Sequence, residues 1–186
     1  MNGIVIFSGG MDSIALLHHL KEKGHTLYGL SFFYGQRHEK ELDFAQYWGE
    51  KLCVAWKKID ISFMKEIAGH SALIDPNISL PREHYTNENQ KITVVPNRNM
   101  VMAAIAVAWA EDLGFSKGFL GVHANDRAIY PDCRHEFIEA VSQASVLATY
   151  HRVEIQAPFV HFQKFEIARL GHDLGVDYRK TWSCYE

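Results

Sequence analysis

Short apolar runs alternate with helical segments along this chain, and the alternation limits the folds that it can adopt. Residues 3–7 form an apolar run rich in β-branched side chains, which predicts a strand buried on both faces. A glycine turn follows, and residues 13–23 place apolar side chains on one face, which predicts an amphipathic helix. Further predicted strands cover residues 27–34, 54–61, 118–122 and 153–156, and further predicted helices cover residues 38–52, 99–113, 134–149 and 164–174.

Strands that are separated by helices pair in parallel through right-handed crossovers. The sequence therefore predicts an α/β fold with a doubly wound, mostly parallel five-stranded sheet. Ligands of such sheets bind at the carboxyl ends of the strands. A length of 186 residues suits one domain over residues 1–186. Long polar stretches at about 69–91 and 123–133 are predicted to be insertion loops of that domain.

Composition and charge exclude several classes of protein. A formal net charge of −3 gives no general attraction to nucleic-acid phosphates, so no nucleic-acid partner is predicted. The longest apolar stretch, at residues 100–110, is too short to span a bilayer, so no membrane association is predicted. Three cysteines cannot pair completely, which favours a reducing, cytoplasmic location.

The turn between the first strand and the first helix has the composition of a phosphate-binding loop. Glycines allow the backbone to turn tightly and expose its amides, and a helix N-terminus adds partial positive charge. The bland alternative is that Asp12 and Ser13 only cap the helix. The sequence is neither a Walker loop nor a dinucleotide-binding fingerprint. The candidate nucleotide-binding residues are Ser8, Gly9, Gly10, Met11, Asp12 and Ser13.

This turn resembles the SGGxDS loop of the N-type ATP pyrophosphatases, whose fold is of the adenine nucleotide alpha-hydrolase-like type. The resemblance implies that ATP binds here and that pyrophosphate leaves after attack on the α-phosphate. It also implies that Asp12 helps to hold Mg²⁺, a hard cation that prefers carboxylate and phosphate oxygens.

Other segments resemble the 7-cyano-7-deazaguanine synthases, the QueC family, in that family's order. The four most telling are SFFYGQRH at 31–38, VPNRN at 95–99, YPDCRHEF at 130–137 and TWSCY at 181–185. Residues 69–73, 121–126 and 164–167 also resemble the family, so the likeness covers nearly the whole chain. It implies ATP-dependent conversion of 7-carboxy-7-deazaguanine and ammonia to the nitrile, through acyl-adenylate and amide intermediates, for queuosine in tRNA or for DNA modification.

The resemblance also suggests roles for single residues. Asp12, Arg98 and Lys164 are the candidate catalytic residues, since two cations and a metal would stabilise charge on phosphate oxygens. Cys133 is either a site nucleophile or base or a buried packing residue, and packing is favoured. The candidate substrate-binding residues are Gln36, Tyr130, Asp132, Cys133, Arg134 and Trp182.

The chain departs from the family after the TWSCY segment. Family members usually continue with cysteines that complete a structural zinc site with a residue matching Cys184, whereas this sequence ends at Glu186. A structural zinc takes four protein ligands, so no zinc site is predicted. The sequence is either a piece of a longer protein or a naturally short variant that buries its carboxyl end by other means, such as a homodimer.

Two alternatives to nitrile synthesis remain open at this stage. A variant enzyme would stop at 7-amido-7-deazaguanine or transfer the activated acyl group to another amine, and its activation motifs would be identical. A protein of a different class, a non-catalytic ATP-binding sensor, would also keep the phosphate loop. The polar segments at the predicted carboxyl ends of the strands exceed what adenine recognition needs, which argues against the sensor.

Overall fold

The computed structural model describes residues 1–36, 40–75, 77–78 and 91–182. Its five strands form one all-parallel sheet in the order β3-β2-β1-β4-β5, which confirms the predicted fold class. The first strand therefore lies in the centre of the sheet, and its carboxyl end lies between those of β2 and β4. The strands are β1 Asn2–Ile6, β2 Thr26–Phe33, β3 Ala55–Asp60, β4 Lys117–Phe119 and β5 Glu154–Gln156.

Helices cover both faces of the sheet. In the described residues they are α1 Met11–Glu22, α2 Lys40–Leu52, α3 Met64–Ile67, α4 Arg98–Asp112, α5 His135–Ala148 and α6 Lys164–Asp173. The side chains of β1 alternate between two cores because successive strand residues point to opposite faces. Ile4 and Ile6 pack with α4 and α5, whereas Val5 and Phe7 pack with α1, α2 and α6.

Most predicted elements are present, with bounds that differ by one or two residues. Strand β4 is shorter than predicted, because the chain leaves the sheet after Leu120, whose amide still donates to Gln156. Helix α3 was not predicted, since four residues carry too little periodicity to be recognised. The loop at 123–133 contains two short 3₁₀ turns, Asp126–Ala128 and Pro131–Cys133. Most of the other predicted loop, residues 76 and 79–90, lies outside the described residues.

Strand β5 is an edge strand of the sheet. The amide of Ile155, which points away from β4, donates to the hydroxyl of Ser142 on α5 at 3.0 Å. A side chain from the same molecule therefore satisfies a backbone donor that would otherwise be left open at the edge.

One helical stretch of the described residues, Lys91–Asp112, has the length and apolar composition that could cross a membrane. It is longer than the apolar run at 100–110 that the sequence suggested. Its residues Met102, Ala103 and Ala106 are buried in the core that also contains Ile4 and Ile6. A central helix that packs on a sheet passes the same test of length and composition, and α4 occupies that position.

Candidate active site

The loop after β1 turns back on itself at the carboxyl end of the central strand. The hydroxyl of Ser13 accepts the amide of Ser8 at 3.2 Å and donates to the carbonyl of Gly10 at 2.9 Å. Helix α1 begins immediately afterwards, at Met11. The loop thus lies at the positive end of a helix dipole, which favours an anion.

Gly9 allows this loop to lie against the start of α2. Its φ of +86° belongs to the left-handed region, which side chains other than hydrogen disfavour. A Cβ at this position would lie 2.2 Å from the carbonyl oxygen of Glu41 and 2.7 Å from the amide nitrogen of Ala45. Both atoms belong to backbone and have little room to move, so the loop requires glycine here.

The carboxylate of Asp12 lies among charged side chains from two other segments. Its Oδ2 is 3.5 Å from Nε2 of His123 and 3.8 Å from Nζ of Lys164. The same His123 nitrogen is 3.4 Å from Oδ2 of Asp126. Buried Oδ1 of Asp12 has no hydrogen-bond partner among the described residues. A buried carboxylate oxygen without a donor is costly, which suits a site that binds a cation.

Burial and charge oppose each other at His123. Burial lowers the pKa of the imidazole, but the hydrogen bond to Asp12 and the charges of Asp126 and Asp12 together outweigh it, so the pKa lies above its ordinary value. The pKa of Asp126 is also raised, mainly by burial and against the charge of His123. These groups form one electrostatic cluster beside the phosphate loop.

Lys164 is the first residue of α6, and its place is fixed by local contacts. Gln163 and Glu166 form a capping box at this helix end, and the amide of Lys164 donates to Oδ1 of Asn125 at 2.9 Å. The side chain of Lys164 is half exposed. Lys164 therefore combines an anchored backbone with a charge that is able to move towards a ligand.

Arg98 begins α4, after Asn97 in the left-handed conformation. Its guanidinium lies 5.0 Å from the ring centre of Tyr34 and donates to the Tyr34 hydroxyl at 3.0 Å. Gln36 holds the turn that carries this tyrosine. Its Oε1 accepts the Tyr34 amide at 2.8 Å, and its Nε2 donates to the carbonyl of Phe32 at 3.2 Å.

The loop at 123–133 is tied to the start of the same helix. The amide of Asn99 donates to Oδ2 of Asp132 at 2.9 Å, and its side chain donates to the Asp132 carbonyl at 3.0 Å and to Sγ of Cys133 at 3.3 Å. The hydroxyl groups of Tyr130 and Thr93 form a hydrogen bond of 2.7 Å. Burial raises the pKa of the Cys133 thiol, which opposes thiolate formation and agrees with a packing role.

Trp182 lies on the phosphate loop. Its amide donates to the Gly9 carbonyl at 3.1 Å, and its ring is parallel to that of Phe44 on α2, with centres 6.5 Å apart. Arg134, in contrast, is exposed and donates from Nε to the carbonyl of Arg127 at 3.3 Å. The structure thus brings Trp182 to the loop and leaves Arg134 on an open surface.

Glu41 joins the phosphate loop to Arg98, although its sequence position gave no sign of this. The Ser8 hydroxyl accepts a hydrogen bond from the Gly10 amide at 3.3 Å, and Ser8 Oγ and Glu41 Oε1 would each lie 3.3 Å from a Cβ built on Gly10. Burial raises the pKa of Glu41. The Ser8 hydroxyl and the charge of Arg98 lower that pKa, but by less than burial raises it. Glu41, His123 and Asp126 are the site residues that sequence reasoning missed. The last two lie in a family-like segment, which was the available signal.

The site has residues that fit Mg²⁺ but no described set that fits zinc. Mg²⁺ usually takes one or two carboxylates together with phosphate oxygens, and Asp12 with its unpartnered Oδ1 fits that pattern. In the part of the chain that the structure describes, no group of three or more His, Cys, Asp or Glu side chains is able to hold a metal ion. Cys184 lies outside the described residues.

Solved structures with similar folds belong to other enzymes. NMN synthetase from Francisella tularensis has a TM-score of 0.56 and 15% identity, and the match covers 96% of this chain and 63% of that one. NH3-dependent NAD synthetase from Campylobacter jejuni has a TM-score of 0.54 and 16% identity, and the match covers 96% of this chain and 66% of that one. At such low identity these matches support the fold alone.

Sequence comparison is more specific. A 7-cyano-7-deazaguanine synthase from Caldicellulosiruptor bescii is 48% identical over 186 residues, which are 100% of this chain and 84% of the relative. The family described as queuosine biosynthesis protein QueC matches residues 2–186. The chain therefore belongs to the QueC family.

Proposed function

We propose that this chain converts 7-carboxy-7-deazaguanine and ammonia to 7-cyano-7-deazaguanine at the expense of ATP. The observation that carries the proposal is the glycine turn at the start of α1, beside the partly buried Asp12 and the side chains of Lys164 and His123. The relatives named for this synthase are similar over the whole chain, which supports the same activity.

The first chemical step activates a poor electrophile. A carboxylate oxygen of the substrate attacks the α-phosphorus of ATP, and the bond to the bridging oxygen of pyrophosphate breaks to give an acyl adenylate. The loop amides and the start of α1 hold the phosphates, while Lys164 and Arg98 balance the charge that builds on phosphate oxygens. Mg²⁺, held by Asp12 and phosphate oxygens, would neutralise part of that charge when bound.

The later steps reuse the same site. Ammonia attacks the acyl carbon and AMP leaves, which gives the amide. The amide oxygen then attacks the α-phosphorus of a second ATP and pyrophosphate leaves, and the adenylated amide loses AMP from carbon and its protons from nitrogen to give the nitrile. Both adenylations need the same phosphate loop and cations, so one site serves both rounds.

The deazaguanine ring needs planar and polar neighbours. We propose Trp182, Tyr130 and Asp132 as its contacts, and Arg134, which is exposed, is not assigned to it. Gln36 contributes indirectly. It stabilises the turn of Tyr34, and the Tyr34 hydroxyl accepts a hydrogen bond from Arg98. Cys133 contributes by packing.

Product mass tests the proposed activity. The chain is incubated with 7-carboxy-7-deazaguanine, ATP, Mg²⁺ and ammonium, and AMP, pyrophosphate and the deazaguanine products are measured. We expect a product one water lighter than the amide, with two AMP formed for each nitrile. Accumulation of the amide, or of a conjugate with another amine, would assign one of the variant activities. ATP binding without AMP formation would assign the sensor.

Replacement of Cys133 by alanine tests whether the thiol takes part in the chemistry. The buried sulfur accepts a hydrogen bond from Asn99, and burial opposes the thiolate that a nucleophile needs. We expect Cys133→Ala to keep nitrile formation within about threefold of the wild type, with a loss of stability of about 1 kcal/mol. A fall of a hundredfold or more, with the fold intact by circular dichroism, would give the thiol a direct role.

The small-molecule partners and the free thiols agree with a cytoplasmic enzyme. Cys53 and Cys133 are unpaired, and burial raises the pKa of Cys53 to about 12. Such thiols persist in a reducing compartment.

A further inference from the structure

Glu41 is an acidic side chain where an anion is expected to bind. It is the second residue of α2, and its carbonyl lies against Gly9 of the phosphate loop. Its carboxylate oxygen Oε1 would lie 3.3 Å from a Cβ built on Gly10. A negative charge this close to phosphate oxygens opposes their binding by several-fold unless it is neutralised.

The Ser8 hydroxyl lies close both to this carboxyl group and to the loop, at Gly10. The Ser8 oxygen accepts the Gly10 amide at 3.3 Å, so its single proton is available to Glu41. The neighbouring titratable and charged groups in the described residues are Arg98, from α4, and Tyr34, at the end of β2. Arg98 also bonds to Tyr34, so it is shared between the two.

We propose that Glu41 is a positioning residue that couples nucleotide binding to proton uptake, because its carboxyl group must be neutral for the triphosphate to bind tightly beside Ser8 and Gly10. The inference rests on the proposed ATP site. In the neutral form the carboxyl hydrogen-bonds without adding negative charge to the loop. In the ionised form it repels the phosphates and competes with them for Arg98.

The direction of the pH dependence follows from this coupling. Affinity for ATP is high when Glu41 is protonated and falls as pH rises through its pKa. Burial already raises that pKa, and a bound triphosphate raises it further, so binding takes up protons. The fall in affinity therefore lies above the range in which an exposed glutamate titrates, which is about pH 4.

Calorimetric titration of the full chain with ATP and Mg²⁺ tests the coupling, in the absence of the deazaguanine and of ammonium. Titrations at about pH 6 and pH 8, each in two buffers of different ionisation enthalpy, give the dissociation constant and the number of protons taken up. Glu41→Gln keeps the shape and the hydrogen-bond acceptor and removes the charge. Asp43→Asn, an exposed position in the same turn of α2, is the matched control.

We expect the wild type and Asp43→Asn to bind ATP about tenfold more weakly at the higher pH and to take up protons. Glu41→Gln should keep only the pH dependence that His123 and the ATP phosphates contribute, and it should bind about tenfold more tightly than the wild type at the higher pH. Ionisation of the ATP phosphates is common to all three proteins, so the difference between them isolates Glu41.

Three results would overturn the inference. Glu41→Gln with the same pH dependence as the wild type would show that another group titrates, while the ATP site itself stands. Absence of proton uptake by the wild type, which needs no variant, would remove the coupling even if Glu41→Gln does not fold. Absence of ATP binding by the wild type at both pH values would remove the proposed function together with the inference.

Discussion

Replacement of Arg98 by alanine is expected to reduce pyrophosphate release by about a thousandfold or more. The guanidinium is the rigid cation at the start of α4, placed by Tyr34 and close enough to Glu41 and Asp126 to influence their pKa values. Without it, charge that builds on phosphate oxygens lacks a fixed partner. Coupled detection of pyrophosphate under saturating ATP measures the loss.

Arg169→Ala is the control for Arg98→Ala, because Arg169 is exposed on α6. It should leave turnover within about twofold of the wild type, and both variants should keep the wild-type circular dichroism spectrum. Normal turnover by Arg98→Ala would refute the catalytic role. Arg98→Lys distinguishes charge from geometry, since a lysine keeps the charge but lacks the planar fork, and we expect it to recover little activity.

Gly9→Ala is expected to lower the free energy of unfolding by about 3 kcal/mol or more and to abolish ATP binding. The new methyl group would lie 2.2 Å from the Glu41 carbonyl, so either α2 or the phosphate loop must move. Either movement displaces the loop amides that we propose hold the phosphates. Urea unfolding and ATP titration measure the two effects.

Gly24→Ala separates backbone strain from collision. Gly24 has a similar φ of +79°, but a Cβ there would meet nothing within 4 Å. We expect this variant to lose only about 1 kcal/mol and to bind ATP normally. Equal losses in the two variants would mean that the close contact between Gly9 and α2 is not important.

The sequence predicted the sheet and the glycine turn after its first strand because each depends on local signals. Apolar runs separated by helices require parallel strands, and a glycine turn after a buried strand places Gly9 and Gly10 at its carboxyl end. The pairing of Asp12 with His123 depends instead on strand order. Residue 123 comes close to residue 12 only because β4 lies next to β1, and no local pattern states that order.

Glu41 could not be identified for a different reason. A glutamate in the first turn of a helix is normally exposed, where it interacts favourably with the helix dipole. Here the close approach of Gly9 brings the first turn of α2 against the loop and partly buries the carboxyl group. Substrate roles for Tyr130, Asp132, Arg134 and Trp182 stay predictions, because family likeness indicated them and side-chain geometry alone does not identify a ligand.

The contact between Ser142 and Ile155 has a consequence for behaviour at high protein concentration. An unoccupied amide on an outer strand is a starting point for intermolecular β-pairing, which leads to aggregates. In this molecule the serine hydroxyl already holds that amide at 3.0 Å. A second copy would have to displace this hydroxyl before its own strand could pair with the amide.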